Sequence, residues 1–96
     1  ELQCLPLGIL ALTLEAQGRG EDSLRTATGV GTFIDPRSGT GSPVCGTSTE
    51  QLVAADGDQL RFRLPPVDVA IFNAPAADRH GNIYVRGCAT IGETRE

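Results

Sequence analysis

The chain has no methionine and no lysine. A reading frame normally begins with Met, and this chain begins at Glu1 on the run Leu2-Gln3-Cys4-Leu5, so it is expected to be a piece of a longer gene product. Without Lys there is no Schiff-base or P-loop lysine chemistry. All eight basic residues are Arg, as a GC-rich genome encodes. No Cys-x-x-Cys pair exists: the three cysteines stand at 4, 45 and 88, too far apart for a zinc ribbon or a thioredoxin site. They are expected to be buried or half-buried free thiols in a reduced, cytoplasmic compartment. His80 is the only histidine, so no metal ligands are assigned. No apolar stretch reaches 18 residues, which excludes a transmembrane helix, and the leading run lacks the basic flank of a signal peptide. A net charge of −4 and a pI near 4.8 exclude the basic footprint of a nucleic-acid binder.

What is present is a small, loop-rich globular chain. Its 96 residues make one domain at most, with 12 Gly and 6 Pro, well above the usual share of roughly 12%. Residues 6–17 are expected to be helical, with Pro6 in the first turn and Gly18 as a left-handed cap. Leu5, Ile9, Leu12 and Ala16 recur on one face, while Leu7, Leu10 and Leu14 add apolar side chains beside it. Residues 24–30 are expected to lead into a short strand ending at Thr28-Gly29-Val30-Gly31-Thr32, and residues 38–43 read as a loop. Residues 51–55 and 59–64 flank Asp56-Gly57-Asp58, a hairpin signal. Val67-Asp68-Val69-Ala70-Ile71-Phe72 is apolar enough for a parallel strand covered on both faces. Asp78–Asn82 reads as a turn and residues 83–86 as a strand.

No complete catalytic set is visible: there is no G-x-S-x-G elbow and no paired carboxylates on one helix face. Gly29-Val30-Gly31-Thr32 is a close-approach loop but not a dinucleotide fingerprint, because Ile34 stands where the third glycine is needed. Gly29 or Gly31 is expected at positive φ or against another backbone, with residues 29–32 facing a cleft. Asp35, before Pro36-Arg37, is expected to accept turn N–H bonds rather than to carry catalysis. Asp68, if buried, needs Arg61, Arg63 or Arg86 as a partner, and His80 is expected to be solvated.

Taken in order, Leu5-Pro6-Leu7-Gly8, Gly29-Val30-Gly31-Thr32-Phe33-Ile34-Asp35-Pro36-Arg37, the Asp56-Gly57 hairpin, Val67–Phe72 and Ala77-Asp78 with Gly81-Asn82-Ile83 resemble the first domain of family I coenzyme A transferases. The nearest group is the propionate/acetate and 3-oxoacid type, and the resemblance runs over nearly the whole chain. It implies a partial open α/β/α sheet with a β-hairpin and mixed or mostly parallel strands, residues 1–96 forming a single incomplete α/β domain. It also implies ping-pong transfer of coenzyme A through a glutamate of a second domain. That glutamate lies in an E-x-G context, and no Glu here has Gly two positions on, so no catalytic residue is assigned. Many members have Gln where this chain has Leu7, which cannot donate a side-chain hydrogen bond.

The resemblance makes Leu7, Gly8, Gly29, Val30, Gly31 and Thr32 the substrate-binding candidates. Coenzyme A is a substrate rather than a tightly bound cofactor, and acyl-CoA and a carboxylic acid are the partners of the parent enzyme. A homo-oligomer, or a second CoA-transferase domain or subunit, is expected to cover apolar surface at Leu7, Leu10, Leu14 or the sheet edge near residues 60–64. The alternative is a non-catalytic remnant or a self-associating interaction or small-molecule-binding module.

Overall fold

The computed structural model describes residues 2–44, 50–71 and 73–86. The chain divides into two compact units, Glu1–Pro65 and Pro66–Glu96.

In the first unit, helix α1 spans Leu7–Gly18. Its Leu and Ala content favours helix, and Pro6 stands just outside as the N-cap, where its missing N–H costs nothing. Gly18 stays helical, and the left-handed position falls instead on Gly20, at φ +84°. The N–H of Gly20 donates to Gln17 O and that of Glu21 to Ala16 O, both at 2.9 Å, the bonding pattern of a Schellman cap. The buried helix face is Ile9, Thr13 and Ala16; Leu12 points outward. The Thr13 hydroxyl donates to Ile9 O at 2.6 Å, so its polar atom enters the core already bonded. Gln17 Nε2 donates to Leu64 O and Pro65 O, tying the helix end to the end of the sheet.

Three short strands follow: β1 (Leu24–Thr26), β2 (Val53–Asp56) and β3 (Gln59–Phe62). They form an antiparallel sheet in the order β1-β3-β2. The Asp-Gly hairpin is present: Asp56 pairs with Gln59 across Gly57-Asp58. Gly57 has φ +62° while Asp58 does not enter positive φ, the pattern of a type II′ turn. Leu24, Phe62 and Val53 share one row facing inward; Arg25, Arg61 and Ala54 share the next, facing out. Ile9, Ile34, Val53, Leu60 and Phe62 make the core, with Leu5 and Leu24 packed against it. Each such side chain stabilises by roughly 1.5–3 kcal/mol on burial.

The second unit holds an antiparallel pair, β4 (Ala76–Ala77) and β5 (Ile83–Tyr84), around the turn expected at Asp78–Asn82. The Asp78 carboxylate organises that turn, accepting from the N–H groups of His80 and Asn82 and from Asn82 Nδ2. These bonds hold its pKa below the ordinary value, the Asn82 side chain contributing most. His80 is exposed, as expected.

Several expectations are corrected. The mixed α/β composition holds, but the strands are antiparallel, not mostly parallel. At the hairpin the physical reason is connection length: the two-residue turn closes β2 and β3 as an antiparallel pair, whereas a parallel pair needs a crossover of a dozen residues or more. Residues 67–71 form no strand, and Val67, Val69 and Ile71 are 52%, 74% and 94% exposed; Phe72 lies outside the described residues. An apolar run becomes a strand only when neighbours take its N–H and C=O groups, and no described segment pairs with this one. Asp68 is exposed too, so the burial that would demand an arginine partner is absent. The chain at 28–32 is a series of turns rather than a strand end. Residues 60–62 lie in the central strand β3, so the sheet edges are β1 and β2. Cys4 is exposed rather than buried, on a segment whose N–H donates to Ser42 O at 2.6 Å; Cys45 and Cys88 lie outside the described residues.

Candidate functional site

The glycine loop is built from its own backbone. The N–H of Val30 donates to Ala27 O at 3.2 Å and that of Thr32 to Gly29 O at 3.1 Å, with the Thr32 hydroxyl reaching the same carbonyl at 2.6 Å. Gly31 N–H donates to Asp35 Oδ2 at 2.9 Å. Both glycines have positive φ, +90° for Gly29 and +77° for Gly31. Gly29 also lies close, not to another backbone but to core side chains: a Cβ there would lie 2.8 Å from Ile34 Cγ2 and 3.4 Å from Leu60 Cδ1. At Gly31 the space is open. The two glycines therefore do different things. Gly29 lets the loop lie on the core; Gly31 turns it outward.

Asp35 fixes the far side of the loop. Its carboxylate is buried and accepts from Gly31 N–H, Arg37 N–H, Arg37 Nε at 2.9 Å and Arg37 Nη2 at 2.9 Å. This is a two-point guanidinium–carboxylate pair closed over Pro36. Arg37 Nη1 then donates to Gly57 O at 2.7 Å, so the loop is bolted to the hairpin turn. The Arg37 side chain, followed by Gly31 N–H, holds the Asp35 carboxyl well below the usual carboxylate range. A carboxylate with this many donors is a structural acceptor, in line with the turn role read from its place before Pro36. Arg37 as its partner was not found by sequence reasoning, although an Asp-Pro-Arg spacing places both side chains on one tight turn.

Leu7 and Gly8 open α1, and both are exposed, Leu7 to 67%. Ile9, one residue on, shares the core with Ile34 of the glycine loop. The two candidate segments thus root in one hydrophobic cluster, while Val30, Gly31 and Thr32 remain exposed at the loop surface. The loop has little left to offer as a hydrogen-bond donor: the N–H groups of Val30, Gly31 and Thr32 are all bonded within the chain. Its surface is a turn edge carrying an apolar Val30.

Sequence reasoning also missed Gln3 and Ser42. Ser42 is fully buried; its hydroxyl donates to Gln3 Oε1 at 2.6 Å and accepts from Leu52 N–H at 2.9 Å. It joins the N-terminal segment, the 38–43 loop and the entry to β2. Among the described residues no cluster of His, Cys, Asp and Glu could hold a metal ion, and no helix is long and apolar enough to cross a membrane.

Over 93 residues, 94% of its length, the chain is 30% identical to the caffeate CoA-transferase of Acetobacterium woodii. It spans 18% of the length of that curated relative. No family model matches the chain, and no solved structure matches it.

Proposed function

We propose that the chain is a piece of the first domain of an acyl-CoA:carboxylate CoA-transferase. The observation that carries this reading is the similarity to a CoA-transferase over 94% of the chain. In this reading Leu7, Gly8, Gly29, Val30, Gly31 and Thr32 contribute one wall of an acyl-CoA pocket. Coenzyme A is the substrate, and a second domain or subunit supplies the nucleophilic glutamate that these 96 residues lack. The wall acts by shape. Leu7 has no side-chain donor, and the N–H groups of residues 30–32 are already bonded, so neither supplies an oxyanion hole.

The test is a chimera in which the matched residues of this chain replace the corresponding segment of the Acetobacterium woodii enzyme. A folded chimera that still transfers coenzyme A supports the reading; a folded chimera that neither binds nor transfers it overturns it. The 96-residue chain by itself is expected to form no glutamyl-CoA adduct with acetyl-CoA or propionyl-CoA under borohydride or hydroxylamine trapping. An adduct on any of its residues would overturn the assignment of the nucleophile to another domain.

A second reading, a self-associating module, draws on the exposed apolar side chains Leu7, Phe33, Val69 and Ile71. Sedimentation at micromolar concentration tests this second reading. A concentration-dependent dimer relieved by Ile71→Ser favours association, and a monomer of about 10 kDa, the chain mass, disfavours it.

A further inference from the structure

The first unit treats its arginines unequally. Arg19 pairs with Glu15 and Glu21, Arg25 with Asp56, and Arg37 with Asp35. Arg61 and Arg63 have no carboxylate partner among the described residues, although the chain carries 12 acids against 8 arginines. Arg61 faces outward from β3, and Arg63, just past the end of that strand, is exposed as well. Both line one cavity of about 240 Å³, together with Ser23, Gln51, Ala54 and Asp22. Ser23 Oγ donates to Asp22 Oδ1 at 3.0 Å, a bond it can exchange for a ligand oxygen.

We propose that this sheet face is a phosphate site, in which Arg61 and Arg63 with the Ser23 hydroxyl take an inorganic phosphate or a phosphomonoester. Two forked guanidinium groups suit a dianion with several acceptor oxygens better than a single carboxylate. Asp22 opposes the ligand's charge and limits affinity, so the occupant is expected to bind weakly and reversibly. The site does not rest on the CoA-transferase reading, and its test uses no acyl-CoA.

The experiment titrates the isotope-labelled full chain with inorganic phosphate, following amide shifts by NMR. Sodium chloride and sodium acetate at matched ionic strength are the controls. Saturable shifts confined to residues 22–25, 51–54 and 61–63 are expected with phosphate alone. The double variant R61Q/R63Q is expected to raise the midpoint about tenfold or more, the scale of losing hydrogen bonds to a charged group. Asp22→Asn is expected to lower it about threefold, the size of an exposed charge contact. Equal shifts with chloride or acetate, an unchanged midpoint in the double variant, or weaker binding in Asp22→Asn would each overturn the site. Should the double variant lose its dispersed spectrum, the anion contrast and Asp22→Asn decide the matter.

Discussion

Residues 53–62 and residues 67–71 both look like sheet in sequence, and they end differently. The first segment is a hairpin whose Leu60 and Phe62 are fully buried; the second forms no strand and exposes Val67, Val69 and Ile71. The hairpin carries its partner within itself. Gly57 sets the turn, the register follows from the turn, and one alternating face meets Ile9 and Ile34. Residues 67–71 have stronger apolar character but no turn and no adjacent complement among the described residues. Hydrophobicity supplies a reason to be buried, not a place.

The largest effect that would sharpen this contrast comes from truncating the hairpin's inward row. Phe62→Ala is expected to cost about 3–5 kcal/mol, enough to unfold a unit this small, while Ile71→Ser stays within about 0.5 kcal/mol. Urea or thermal melts of the two variants check this. Equal losses would mean that residues 67–71 are packed after all.

Next come the two glycines of the loop. Gly29→Ala combines positive φ with a Cβ pressed on Ile34 and is expected to cost about 3 kcal/mol. Gly31→Ala meets only the backbone penalty, about 1 kcal/mol. If Gly31→Ala proves the costlier in melts, the loop does not lie on the core as described.

Acid should act through Asp35. Its folded pKa lies below the unfolded value of about 3.9, so its contribution is fully present above that value. The contribution is lost as pH falls from there toward the depressed folded pKa. Stability of the first unit measured from pH 7 down to pH 2 should therefore drop most steeply below about pH 4. In Asp35→Asn that step should flatten, with lower stability already at pH 7. An unchanged acid slope would show that the Arg37 pair does not hold the loop.

The smallest effect is expected on the outward face. Asp56 Oδ2 lies 2.9 Å from Arg25 Nε, an ion pair whose alignment falls short of a hydrogen bond, and Arg25 is largely exposed. Arg25→Gln should change stability by less than about 0.5 kcal/mol, and less again in high salt. A larger loss would mean that this face supports the sheet rather than standing open to solvent.

By itself the sequence determined the features whose causes are local. The helix after Pro6, the Asp56-Gly57 hairpin, the Asp78–Asn82 turn, a positive φ at Gly29 or Gly31 and the acceptor role of Asp35 all follow from residues within a few positions of one another. Only the tertiary structure decided which helix face turns inward, Thr13 in place of Leu12. It also decided that Arg37 spans from Asp35 to Gly57, that Ser42 is buried, and that β3 is the central strand. Those outcomes depend on partners 20 or more residues away, or on which of several apolar stripes finds a complement. Pairing an extended segment costs backbone entropy that only a neighbour's hydrogen bonds and burial can offset, and a neighbour's position is not written in the segment itself.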